Sequence, residues 1–208
     1  GRRRAQPQGP VVDGERLVQL QAAGRALLGG LRPGDEAALV TFDQEIRLRV
    51  PPTGDRARLE RGVSGILPGG STALYDALYS GTLLASGRGR SLLVLFTDGE
   101  DNLSWLDAAQ VRRVLLESNV LVQAVGIVPR EGASPRGRLG QRPPAEAPHV
   151  RTLRRLAGVT GGTFWGASAH EKLAGAFLAI LEAMKTRYVL RFEPERVRPG
   201  TGLDVEHP

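Results

Sequence analysis

The 208-residue chain has no cysteine. That excludes disulfides, thiol catalysis and cysteine-based zinc sites. Its three histidines, His149, His170 and His207, are scattered without ligand spacing, so each reads as a surface residue rather than a metal ligand. Lysine is almost missing: Lys172 and Lys185 stand alone, and arginine carries the formal charge of +6. Aromatic residues make up only 5% and do not interleave with basic ones. Arg2 to Arg4 form the only basic run. With so much Ala, Gly and Pro, the arginine content reads as the bias of a GC-rich coding sequence, and no nucleic-acid partner is expected. No apolar run approaches the roughly 18 residues needed to span a membrane. The opening GRRRAQPQGP has no apolar stretch behind its charges, so no leader is expected within it.

What remains is a chain with 41% hydrophobic residues, punctuated by 27 glycines and 14 prolines. Its length suits one good core. Leu17, Leu20, Ala23 or Gly24, and Leu27 recur at helical spacing in 14–29, ended by Gly29–Gly30. AALVTF, 37–42, predicts a buried strand, with Ile46 to Val50 as its hairpin partner across a turn containing Asp43. A short helix is expected over 55–66. A second, over 73–86, is expected to be capped by Ser71 or Thr72. Further on, the pattern predicts a strand at 91–97, a helix at 107–117 and a strand at 120–128. A helix at 149–158, a short strand at 163–165, a helix at 170–185 and a last strand at 187–192 complete it. Residues 129–148, rich in Pro, Gly and Arg, predict a long functional or disordered loop. Alternation of strands and helices predicts an α/β fold: a doubly wound, mostly parallel sheet flanked by helices.

The stretch 91–102, SLLVLFTDGEDN, concentrates the chemistry. An apolar run stops at Thr97 and gives way to an acidic turn. In open α/β sheets ligands sit at the carboxyl ends of strands, and carboxylate and hydroxyl oxygens suit a hard cation. The same turn also suits a plain strand-to-helix connection with Asp and Asn as caps. The second notable loop, LPGGSTALYDAL at 67–78, offers the Ser71 and Thr72 hydroxyls at a helix start. If the two loops adjoin, Thr72 and Asp98 share one cation. The GGST turn offers only a weak phosphate cradle, since the P-loop lysine is missing.

The phrases LRPGDEAALVTFD, LPGGSTALYDAL, LLVLFTDGEDNLS and AGVTGGTFW, in this order, resemble a von Willebrand factor type A domain, most closely a bacterial branch of that family. The resemblance covers about residues 14–193. It leaves 1–13 as an irregular segment and 194–208 as a tail or the start of a following domain. It implies a non-catalytic protein-interaction or adhesion module, in a bacterial envelope or secreted setting, that binds a partner carboxylate through a metal-ion-dependent adhesion site. It further implies that Thr72 and Asp98 are ligands for Mg²⁺ or Mn²⁺, with Ser71, Asp76, Gly99, Glu100 and Asp101 in support. Asp76 reads equally well as an exposed helix residue. Glu100 and Asp101 read as caps of the helix that follows, and Trp105 and Trp165 as packing residues.

One departure stands against the match. The family's first-loop Asp-x-Ser-x-Ser motif should precede Gly14, and the chain reads Pro7-Gln8-Gly9-Pro10-Val11 there. The central strand that should come before it is replaced by an Arg- and Pro-rich stretch, which fits no buried parallel strand. Truncation, a natural member with a dead metal site, and a misread frame in the first codons would each account for this. Two other functions follow from the residues. One is a metal-independent interaction domain. The other is a metal-assisted phosphoester hydrolase using Asp98 and Asp101, for which no base or nucleophile pairing is visible.

Overall fold

A computed structural model describes residues 14–67, 71–87, 89, 91–97, 101–127, 147–167, 179, 180 and 182. In chain order the elements are α1 (Gly14–Gly29), β1 (Ala37–Phe42), β2 (Ile46–Thr53), α2 (Arg56–Ser64), α3 (Leu74–Ala85) and β3 (Ser91–Thr97). Then come α4 (Ala108–Glu117), β4 (Val120–Ile127), α5 (Pro148–Gly158) and β5 (Phe164–Ala167).

Among the described residues the strands form two groups. β1 and β2 make an antiparallel hairpin, and β3, β4 and β5 make a parallel sheet in that order. The centre of the parallel sheet is β4, whose Val120 to Val125 are all buried. β3 is drier at its carboxyl end: Leu95 and Thr97 are buried, while Leu92, Leu93, Val94 and Phe96 are partly covered. The irregular segment 1–13, which stands where the family's first central strand should be, lies outside the described residues, as do the predicted strand 187–192 and the tail from 194. Of the predicted helix 170–185, residues 179, 180 and 182 are helical, and Ile180 is fully buried.

β2 runs three residues beyond the expected Val50, through Pro51 and Pro52. Proline cannot donate to a ladder, so it is confined to edges and bulges. The register accommodates it: Ala37 pairs with Thr53 and Leu39 with Val50, so the β2 side holds one extra residue where the prolines lie.

Helices cover both faces. On one, Leu74 and Leu78 of α3, Val111 and Leu115 of α4, and Leu153 and Leu156 of α5 pack with Leu95, Val122 and Phe164. On the other, Ala23 and Leu27 of α1 join Val125, Leu92, Val94 and Phe96. Leu28 of α1 continues into a third cluster with Val50, Leu59 and Val63, under the hairpin. Phe42 of β1 packs against the first cluster, so α1 and α3 each touch both strand groups. Burying a side chain such as Leu78 or Leu153 is worth about 1.5–3 kcal/mol.

Two local features lock α5 to the sheet. The Thr160 hydroxyl accepts the Val122 N–H at 2.9 Å and donates to the Ala157 carbonyl at 2.8 Å. Gly162 then passes so close to β4 that a Cβ there would lie 1.8 Å from the Val122 oxygen. Trp165 is half-buried, and its indole N–H donates to Gln123 Oε1 at 2.9 Å. It packs with the α1-side cluster, as expected from the sequence.

Candidate functional site

The residues of interest gather where β1 and β3 end and α3 begins. α3 starts without a cap of its own: its N-cap residue is Ala73, which has no side chain to accept a hydrogen bond. The first amides of a helix need acceptors, and the next loop in sequence supplies them. Asp101 Oδ1 accepts the N–H groups of Leu74 at 2.8 Å and Tyr75 at 3.3 Å. The Ser104 hydroxyl accepts from Tyr75 at 2.9 Å and Asp76 at 3.1 Å, and donates to the same Asp101 oxygen at 2.5 Å. Two sequence expectations are corrected here. Neither Ser71 nor Thr72 caps α3, because the cap position falls one residue later, on Ala73. Asp101 does not cap the helix that follows it. It reaches back to α3, and α4 is capped by Asp107 in a reciprocal box with Gln110.

The junction is stitched from the other side as well. Asp76, in the first turn of α3, accepts the N–H of Trp105 on Oδ2 and that of Leu106 on Oδ1, each at 3.0 Å. Asn102 Oδ1 accepts the Thr72 N–H at 2.8 Å, and the Asn102 N–H donates to the Thr72 carbonyl at 3.1 Å. The Ala73 N–H donates to the Asp43 carbonyl at 3.1 Å. The loop after β1, the loop before α3 and the loop after β3 therefore converge on residues 72–76.

Asp43 is the hairpin-turn residue that its sequence predicts. Its carboxylate accepts the Glu45 N–H at 2.8 Å and binds Arg47 at 2.9–3.0 Å. That backbone hydrogen bond, with the Arg47 guanidinium beside it, holds the Asp43 carboxyl below its ordinary value. Tyr75 moves the other way: burial first, then the negative charge of Asp101, pushes its phenol up.

The structure thus brings Ser71, Thr72, Asp76 and Asp101 into one corner of the molecule. Asp98, Gly99 and Glu100 lie outside the described residues. Among the described residues no group of three or more acidic or histidine side chains is placed to hold a metal ion. The carboxylates of Asp76 and Asp101 accept main-chain amides, which makes them loop-holders. The Thr72 hydroxyl differs. Its own N–H and C=O are both tied to Asn102, and the hydroxyl has no hydrogen-bond partner among the described residues. A hard cation takes such an oxygen readily; Asp98, which the sequence pairs with Thr72, lies outside the described residues.

Sequence reasoning missed Asn102 and Ser104. The available signal was an Asp-Asn-x-Ser run facing a helix whose start, Ala73, cannot cap itself. It also misjudged Trp105. Its backbone is pinned by Asp76, yet the residue is 96% exposed. Trp105, Leu103 and Ser104 line an open groove of about 630 Å³ together with Gln44 and Ile46 from the hairpin and Ala73 and Asp76 from the start of α3.

Comparison with known proteins agrees with the resemblance that the motifs carry. Residues 8–100 match the family model of the von Willebrand factor type A domain. A curated relative, a UPF0353 protein of Mycolicibacterium paratuberculosis, is 28% identical over 102 residues, 44% of this chain and 30% of the relative. The match thus spans less than a third of that relative's length. Among solved structures, a von Willebrand factor type A protein from Catenulispora acidiphila superposes with a TM-score of 0.65 at 18% identity, over 85% of this chain and 40% of that one. The vWF domain of the type V pili tip protein Mfa5 from Porphyromonas gingivalis gives 0.61 at 13% identity, over 88% and 95%. These structures establish the fold: a von Willebrand factor type A-like α/β sandwich with a parallel three-stranded sheet. Domains of this kind are commonly protein-interaction or adhesion modules and generally non-catalytic. Among the described residues no helix is long and apolar enough to cross a membrane.

Proposed function

We propose that this chain, a von Willebrand factor type A domain in fold, is a non-catalytic protein-interaction module that meets its partner at the corner formed by residues 71–76 and 101–106. The observation that carries this reading is the way the corner is built. Two helix-start carboxylates and an asparagine hold the loops through main-chain hydrogen bonds, and the Thr72 hydroxyl has no partner among the described residues. Preorganised loops on a fixed scaffold are what binding sites need.

In this reading Thr72 and Asp98 hold Mg²⁺ or Mn²⁺, and Ser71, Asp76, Gly99, Glu100 and Asp101 support them. The cation supplies an open coordination position for a carboxylate of a protein partner. The first-loop ligands are missing, so the affinity for cation is low. A thermal melt with millimolar Mg²⁺ or Mn²⁺ against chelator tests it: a rise in Tm that vanishes in Thr72→Ala and Asp98→Ala supports the site.

A second reading is favoured by a specific observation. Asp76 and Asp101 use their carboxylates as acceptors for main-chain amides, which suits a domain that binds its partner without metal. In that case the melt is indifferent to cation and chelator, and partner contact rests on the loops alone. The hydrolase reading needs an activated nucleophile or base, and Asp101 is already committed to α3. Catalysis is therefore not part of the proposal.

A further inference from the structure

We infer that the groove beside Trp105 is a docking site for an arginine-bearing peptide segment, used without metal. The inference rests on the interaction-module reading above, and adds a second contact of opposite charge preference to the carboxylate capture proposed there.

The groove pairs features that rarely stand exposed together. Trp105 is 96% exposed and Leu103 43% exposed, and both flank the same opening with Ile46 and Ala73. Single exposed apolar residues are ordinary. A tryptophan and a leucine lining one groove, on a loop whose Trp105 and Leu106 amides are fixed by Asp76, form an aromatic anchor of the kind that dominates interface energies. Because the loop is already ordered, a partner would lose little freedom in docking.

The charge around the groove selects the partner. Among the described residues, Asp76 is the charged residue lining it. Asp43 and Glu45 stand at the hairpin beside Gln44 and Ile46, with Arg47 paired to both. Asp101 and Asp107 flank the loop that carries Trp105. Among the described residues these loops thus carry five carboxylates and the one guanidinium of Arg47, in a chain whose formal charge is +6. Among the described residues this loop cluster is acidic against the trend of the whole chain, a balance that favours cationic over acidic segments. Arginine suits the pairing better than lysine: its planar guanidinium stacks on an indole face while donating to a carboxylate. An apolar neighbour on the same peptide would enter between Leu103 and Ile46.

The test uses the full chain in excess EDTA, followed by the indole N–H signals of Trp105 and Trp165 in ¹⁵N-correlated NMR. The probe is the peptide Ac-Gly-Leu-Arg-Leu-Gly-NH₂, with Glu in place of Arg as its counterpart. The expected result is a saturable shift of the Trp105 signal with the Arg peptide, at least fivefold weaker binding of the Glu peptide, and no shift of Trp165. In Trp105→Ala, whose fold should be intact because the side chain is exposed, binding of the Arg peptide followed by main-chain amide shifts should fall at least fivefold. Equal binding of both peptides, no saturable shift, or unchanged binding by Trp105→Ala would overturn the proposal. So would a Trp105 signal that responds to phosphatidylglycerol vesicles and not to the peptide, which would assign the patch to a lipid surface. Cation-dependent binding of the Glu peptide, measured separately with Mg²⁺ or Mn²⁺, reports on the carboxylate-capture reading, so each idea fails on its own arm.

Discussion

The carboxylate of Asp101 accepts the N–H of Leu74 at 2.8 Å across 27 residues of sequence. Through this bond the loop after β3 supplies the helix cap that α3 lacks. Replacing a capping side chain by alanine costs about 1 kcal/mol and up to about 2, and a carboxylate at a helix N-terminus adds a favourable dipole term. Asp101→Ala should therefore lower unfolding stability by about 1–2 kcal/mol in urea titration. Asp101→Asn, which keeps an acceptor oxygen, should lose less than half of that. Equal stability of Asp101→Ala and the parent chain would refute the capping role.

Asp76 returns the favour from inside α3. With its carboxylate removed in Asp76→Ala, the amides of Trp105 and Leu106 lose their acceptor. Hydrogen exchange at these two amides should speed up at least tenfold, the equivalent of about 1.4 kcal/mol at local opening. The amides of the Asp107–Gln110 capping box should change much less. Uniform acceleration across α4 would instead mean that Asp76 supports the whole helix.

Tyr75 makes the same corner visible to pH. Burial and the Asp101 charge raise its pKa above the ordinary 10.0. A raised folded pKa means that the neutral phenol contributes stability in full below pH 10, and that this is lost as pH rises through the folded value. The ultraviolet difference titration of the parent chain minus Tyr75→Phe should place this phenol's midpoint above 10. Asp101→Asn should bring the midpoint down. A midpoint unmoved by Asp101→Asn would show that burial alone sets it.

Gly162 is constrained by the backbone of β4. An added Cβ would lie 1.8 Å from the Val122 oxygen, a contact that only a backbone shift can relieve. Gly162→Ala should cost about 3 kcal/mol, the upper end of overpacking penalties. Gly81 gives the contrast. The nearest atom to its added Cβ is the Leu93 Cδ1 at 2.5 Å, the far end of a flexible side chain. Gly81→Ala also gains about 1 kcal/mol of helix propensity, so its net change should lie well below that of Gly162→Ala. Chemical denaturation of the two variants side by side checks the ranking.

Much of the fold is legible in the chain because its apolar periods and breakers agree. AALVTF is a strand from Ala37 to Phe42 as the pattern predicts, and SLLVLFT one from Ser91 to Thr97. Pro51 and Pro52 hid the end of β2, since nothing local shows that a bulge at a sheet edge will accept them. The candidate site was legible in part. Thr72, Asp76 and Asp101 do meet, but their roles depend on which amides lie opposite, and that is a long-range fact. Ala73 at the cap position shifted the helix start by one residue and turned Asp101 towards α3. The exposure of Trp105 was equally invisible, because an indole at a loop tip packs or projects according to the shape of the neighbouring loop, here the Gln44–Ile46 turn.

A thermal melt of the full chain in millimolar Mn²⁺ or Mg²⁺ against excess chelator, repeated on Thr72→Ala and Asp98→Ala, decides whether the corner at residues 71–76 holds a cation. A ligand that binds only the folded state stabilises it by RT ln(1 + [L]/Kd), so even a weak site registers. If Thr72 and Asp98 hold the cation, Tm of the parent chain rises with cation and the rise disappears in both variants. An identical, cooperative melt in cation and chelator would contradict it.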